Sequence, residues 1–192
     1  MAKNEMNGFK VVAIGGSAGS LETILAIVQG LPKSPGAAII IIVHRKNDLE
    51  SILANLLSFK THLVVKEVED KDPIYPDHIY IAPPDYHLLI EDEHSFSLDS
   101  SEKVQFSRPS IDVAFESVAE VFAGRAIGIL LSGANSDGAK GLLKIRESGG
   151  YTIVQNPATA DMGYMPQQAI NLGAAQHVLD ADALVATLNG LF

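Results

Sequence analysis

The chain has no cysteine and no tryptophan, and aromatic residues fill only 6% of its 192 positions. Without cysteine there is no disulfide framework, no thiolate nucleophile and no Cys-ligated zinc or iron–sulfur site. Basic residues are scarce too: 14 Lys and Arg stand against 23 Asp and Glu, and the longest basic stretch is Arg45-Lys46. A phosphate backbone would meet a mostly repulsive surface, which argues against nucleic acid as a partner. Residues 1–9 are mostly polar and lack the charged-then-apolar plan of a secretory signal, and no apolar run is long enough to span a bilayer. The expectation is a cytoplasmic protein without membrane insertion, built as a short tail over 1–9 and a single domain over 10–192.

What is present is an alternation of apolar strands and amphipathic helices. The β-branched run 10–14 ends in Gly15-Gly16, after which Leu21, Ile24, Leu25 and Val28 recur at helical spacing. The stretch 37–43 is an uninterrupted apolar strand, and 49–57 returns to helical rhythm. Strands without polar alternation are those of a parallel sheet covered on both faces. Between 63 and 100 the candidates 63–68, 78–82, 87–91 and 95–98 are separated by turn residues instead, which predicts an antiparallel hairpin near 75–98 in or beside the main sheet. Helices at 111–122, 139–148 and 181–188 and strands at 126–131 and 151–154 complete the pattern. The fold class expected is α/β: a doubly wound, mostly parallel, three-layer Rossmann-like sheet.

Three residues at predicted strand ends carry the chemistry. Gly15-Gly16-Ser17-Ala18-Gly19 satisfies G-x-S-x-G where a strand gives way to a helix; small neighbours fit a sharp turn that lifts the Ser17 hydroxyl above the sheet. The bland alternative is a Gly-rich anion cradle before a helix capped by Ser20. Serine needs a base oriented by a carboxylate. His44 directly follows the strand 37–43, and Asp137 lies in the Gly-rich turn after 126–131, where an ordinary helix N-cap is its competing role. The chain order of conventional α/β-hydrolases offers a rival set, Ser17, Asp137 and His177. A metal site at His44, His87 and Asp137 is possible in principle, but no tight ligand pair supports it.

These segments, with others in the same order, resemble the catalytic domain of the CheB family of chemotaxis protein-glutamate methylesterases. Gly15-Gly16-Ser17-Ala18-Gly19 stands where the family has G-x-S-T-G, and Ile42-Val43-His44 where it has a strand followed by Gln-His-Met. Ala82-Pro83-Pro84-Asp85-Tyr86-His87 is similar to A-P-x-x-x-H. Arg108-Pro109-Ser110-Ile111-Asp112 matches R-P-S-[IV]-D, Leu131 through Gly138 follows L-[ST]-G-M-G-x-D-G, and Gly163-Tyr164-Met165-Pro166 is similar to a late G-M-P segment. The chain departs from the pattern at Ala18, Ser20 and Ala134-Asn135.

The resemblance implies a Ser17, His44 and Asp137 triad, and hydrolysis of glutamyl methyl esters on the cytoplasmic helices of methyl-accepting chemotaxis receptors, with glutamine deamidation in some members. It implies no cofactor and no metal. Backbone N–H groups of Ala18 and Ala134 would form the oxyanion hole, and Arg108 would hold a substrate glutamate or stitch two loops. Asp112 is expected to be structural and His87 to pack in the hairpin. With nine residues ahead of Lys10, no receiver domain of the kind carried by the best-known members is expected. A receptor-binding adaptor with weakened catalysis and a phosphate or nucleotide module at the Ser17 turn are the competing functions.

Overall fold

In β1 (Lys10–Gly16) and β2 (Ala37–Val43), successive buried residues feed two different cores. Val11 and Ala13 of β1 and Ala38, Ile40 and Ile42 of β2 join one cluster; Val12 and Ile14 with Ala37, Ile39 and Ile41 join the other. A strand whose side chains alternate between two buried faces must be covered on both. The computed structural model, which describes residues 8–45 and 52–192, shows that sandwich.

The other strands are β3 (Val64–Glu67), β4 (His78–Ile81), β5 (His87–Asp92), β6 (Ser95–Asp99), β7 (Ala126–Leu130), β8 (Tyr151–Gln155) and β9 (His177–Leu179). Seven of them form one sheet in the order β3-β4-β2-β1-β7-β8-β9, every neighbouring pair parallel. Helices α1 (Leu21–Gly30), α2 (Ile52–Ser58) and α6 (Ala181–Asn189) supply Ile24, Leu57 and Leu184 to one face. Helices α3 (Ile111–Phe122), α4 (Ala139–Glu147) and α5 (Tyr164–Asn171) supply Phe115, Leu142 and Met165 to the other. The strand order turns between β1 and β7: β2 and β4 extend to one side of β1, β8 and β9 beyond β7 to the other. Ligands of open α/β sheets sit at that crevice, beyond the carboxyl ends of the strands.

The hairpin expected near 75–98 is the pair β5–β6, antiparallel from His87↔Asp99 to Asp92↔Ser95. β3 and β4 instead enter the main sheet, in parallel register Val64↔His78, joined by a connection without a helix. Of the helix expected over 49–57, residues 49–51 lie outside the described part. Two elements go unannounced in the sequence. α5 has Pro166 in its first turn, where proline is tolerated although it reads as a break, and β9 is three residues with little burial.

Candidate active site

Each principal residue stands just beyond a strand. Ser17 follows β1, His44 follows β2, and Asp137 lies in the loop after β7. These three strands are adjacent, so their carboxyl ends share one crevice.

The serine turn is held by its glycines. A Cβ on Gly16 would lie 2.6 Å from Ser20 Cβ, and one on Gly19 would lie 2.5 Å from Asp161 Cβ and 2.8 Å from Ser132 Oγ. Gly19 has φ +78°, so the left-handed bend falls two residues after the serine. The Ser17 N–H donates to the Ser132 carbonyl at 2.9 Å. Ser132 Oγ donates to the Ala18 carbonyl at 2.7 Å and accepts from the Met162 N–H at 2.9 Å, tying three loops together. Ser20 does not cap α1 with its side chain; its Oγ donates to the Ser17 carbonyl at 2.7 Å.

His44 lies between Ser17 and Asp137. Its Nδ1 is 3.2 Å from Ser17 Oγ and its Nε2 is 2.7 Å from Asp137 Oδ2. A carboxylate only accepts, so Nε2 carries the proton and Nδ1 is left as the acceptor for the serine hydroxyl. Asp137 is fully buried and accepts three more hydrogen bonds: Ile111 N–H at 2.7 Å, Asp112 N–H at 2.9 Å and Ser110 Oγ at 2.8 Å. Burial pushes its carboxyl upward, but the bonds from His44, the two N–H groups and Ser110 outweigh it and hold the group below the ordinary aspartate value. Asp137 therefore sits on the N-terminus of a helix, as its competing role suggested, but of α3 and not of α4, which follows it. The positive end of α3 reinforces the charge.

Asp112 does the reverse. Its Oδ1 accepts from Gly138 and Gly141 N–H at 2.9 and 2.8 Å, in the first turn of α4. Its Oδ2 accepts from Gln105 Nε2 at 2.6 Å, and Gln105 Oε1 accepts from Ser136 Oγ at 2.7 Å. Burial pushes Asp112 up to about 6 despite those backbone donors, and the Asp137 charge adds to the rise. Ser110 caps α3, its Oγ accepting from Val113 N–H at 3.4 Å.

Among the described residues the N–H groups of Ala18 and Ala134 have no hydrogen-bond acceptor. Arg108 Nη1 donates to the Ser100 and Ser101 carbonyls at 2.8 and 2.7 Å, stitching its own loop, and the residue also lines a cleft that reaches His44. His87 is buried, with Nε2 on the Glu102 carbonyl at 2.9 Å and Nδ1 accepting from Ser110 N–H at 3.1 Å, so neither nitrogen is free for a metal. His177 lies on the edge strand β9, three positions from β1, its ring stacked on Tyr151 at 5.0 Å. It does not meet Ser17 or Asp137.

Residues 12–188 match the family model described as CheB methylesterase. The chain belongs to the CheB methylesterase family. A Leptospira interrogans relative is 41% identical over 176 residues, covering 92% of this chain and 91% of its own length. The protein-glutamate methylesterase/protein-glutamine glutaminase of Escherichia coli is 36% identical over 174 residues, 89% of this chain but 50% of that one, so the chain spans about half of it. The crystal structure of the Thermotoga maritima CheB methylesterase catalytic domain superposes with a TM-score of 0.91 at 33% identity, covering 96% of this chain and 99% of that one. The doubly wound architecture is thus the family's. Sequence reasoning overlooked Gln105 and Ser132, which fix the two loops around the relay. Ser132 stands inside the quoted Leu131 to Gly138 motif, whereas nothing in the sequence distinguishes Gln105.

Proposed function

We propose that this chain is a serine hydrolase that removes methyl esters from glutamate side chains of chemoreceptor cytoplasmic helices, releasing methanol, and that it deamidates glutamine at the same centre. The observation that carries the reading is the continuous relay from Ser17 through His44 to Asp137. Its support is the activity for which relatives such as the Escherichia coli protein-glutamate methylesterase/protein-glutamine glutaminase are named. Ser17 Oγ attacks the ester carbonyl while His44 Nδ1 takes the hydroxyl proton and delivers it to the departing methoxide. The Asp137 carboxylate holds the Nε2–H tautomer and stabilises the imidazolium formed in the step. Oxygen charge developing on the carbonyl is received by the Ala18 and Ala134 N–H groups, and because both donors are backbone, the alanines at these positions leave them in place. Water then repeats the cycle on the acyl-enzyme.

No helix among the described residues is long and apolar enough to cross a membrane. The reading has domain 10–192 acting in the cytoplasm, on the side of the receptor helices that are its substrate. Methanol release from a methylated chemoreceptor fragment tests it: release by the native protein and none by Ser17→Ala supports the reaction, whereas equal release by both removes Ser17 from it.

A further inference from the structure

A cleft of about 400 Å³ opens beside His44, lined by Arg45, Asp85, Lys103, Phe106, Ser107 and Arg108. Because His44 is both a wall of this cleft and part of the relay, whatever occupies the cleft lies next to the reacting group. The chain as a whole carries a net charge of −9, yet three of the seven residues here are cationic. Arg45 is matched by Glu67 through its Nη2. Lys103 and Arg108 enter no ion pair among the described residues, and Asp85 is the one carboxylate on the wall. Among the described residues, Asp99 also lies within electrostatic reach of Arg108, and no carboxylate pairs with the Lys103 ammonium.

Arg108 is also only half used. Its Nη1 is spent on the Ser100 and Ser101 carbonyls, while Nε is shielded from solvent with no acceptor and Nη2 makes no hydrogen bond among the described residues. The Nε–Nη2 edge of a guanidinium is a planar two-donor fork that fits a carboxylate. Arg45 Nε is a second buried donor without an acceptor on the same wall. Buried donors left unpaired are costly, and a ligand oxygen would relieve that cost. Over the cleft stands Phe106, 97% exposed. It occupies a tight turn in which Gln105 and Phe106 have φ +47° and +64° and Val104 and Ser107 exchange hydrogen bonds at 3.1 and 2.9 Å. Non-glycine residues in that conformation are strained, and the turn is held by the bonds of Gln105 to Asp112 and Ser136.

We infer that this cleft is a carboxylate subsite, receiving an ionised Asp or Glu side chain of the protein substrate that lies within one helical turn of the scissile glutamyl group. The inference rests on the hydrolase reading above, and it adds that substrate choice is set by a neighbouring negative charge held on Arg108 and Lys103. Neighbours three or four residues apart share a helix face, so one helical segment presents both groups together.

The test uses two helical peptides carrying one γ-methyl glutamate, with either Glu or Gln four residues away. Native protein is expected to prefer the Glu peptide about tenfold in kcat/KM, the lower end of what a charge-assisted hydrogen bond supports, and the preference shrinks with added salt. Lys103 is exposed and makes no hydrogen bond or ion pair among the described residues, so Lys103→Glu is a safe charge reversal, expected to bring the ratio to one or below. The same ratio, measured as binding of the two peptides to Ser17→Ala by calorimetry, does not depend on turnover. Equal kcat/KM for the two peptides, or a preference that survives Lys103→Glu, overturns the subsite while leaving the hydrolase reading intact. A charge-dependent binding preference without methanol release leaves the subsite standing and overturns the reaction.

Discussion

Replacing Asp137 by asparagine should damage both catalysis and folding, because each carboxylate oxygen has two donors. Oδ2 receives His44 Nε2 and Ile111 N–H, and Oδ1 receives Ser110 Oγ and Asp112 N–H. An amide has one accepting oxygen and one NH₂ group. With NH₂ in the Oδ1 position, the Ser110 hydroxyl can rotate to accept, but the buried Asp112 N–H faces a donor. With NH₂ in the Oδ2 position, Ile111 N–H loses its acceptor and His44 must take the other tautomer, pointing Nδ1–H at Ser17 and losing the base. Either way one buried backbone donor is orphaned, at ~1–3 kcal/mol, or roughly 2–12 °C in Tm for a domain of this size. The imidazolium also loses its counter-charge, for which ~10⁴-fold in kcat is the expected scale. Urea unfolding of the native protein, Asp137→Asn and Ser17→Ala, paired with methanol release, separates the two losses, since Ser17→Ala should lose activity at near-native stability. An Asp137→Asn protein with an unchanged midpoint and activity within tenfold of native would refute the reasoning.

Asp112→Asn should be tolerated, because a flip of the Gln105 amide lets its oxygen accept from the new NH₂ while Gly138 and Gly141 keep an acceptor. It should also alter the pH dependence of folding. Asp112 is raised from 3.8 to about 6 in the fold, so its contribution to stability is full below the unfolded value and is lost as pH rises through about 6. The variant lacks that loss and should gain on the native protein between pH 4 and 7, by at most on the order of 3 kcal/mol; parallel pH profiles in urea melts would contradict this. His87→Ala removes the acceptor of the buried Ser110 N–H and opens a cavity beneath the 102–110 loop, for an expected cost of ~2–4 kcal/mol, visible as a lowered urea midpoint.

How much of this is legible in the sequence depends on how local each signal is. β1, β2 and β7 read directly because a buried parallel strand is an apolar run, and α3 reads because Ile111, Ala114, Phe115, Val118 and Phe122 keep one buried stripe. Position at a strand end selects Ser17 and His44, since it depends on a single boundary. Asp137 reads only as one of two roles: its helix-capping partners lie in α3, 25 and 26 residues upstream. The choice of His44 over His177 needs the strand order, which puts β2 beside β1 and β9 three strands away. Gln105 is illegible altogether, because its value comes from a turn that carries it to Asp112 and Ser136. The parallel entry of β3 and β4 is hidden for a similar reason: without a crossover helix between them, the segment has the punctuation of a hairpin.

The exchange of carboxylates between α3 and α4 gives the relay its electrostatic shape. Each helix begins on the aspartate of the other: Asp137 on Ile111 and Asp112 N–H, Asp112 on Gly138 and Gly141 N–H. Two buried acids so near one another repel, and a fold can relieve that repulsion by letting one accept a proton. The hydrogen bonds decide which. Asp137 has His44 and three other donors and is lowered, whereas Asp112 is raised to about 6, chiefly by burial and further by the charge on Asp137. As pH falls, the proton therefore goes first to Asp112, which does not touch His44, and the charge beneath the imidazole is kept. Asp112 thus acts as a positioning residue whose own protonation removes its repulsion from Asp137. In an Asp112→Asn protein the repulsion is gone at every pH, so Asp137 should stay ionised at least as far into acid as in the native chain.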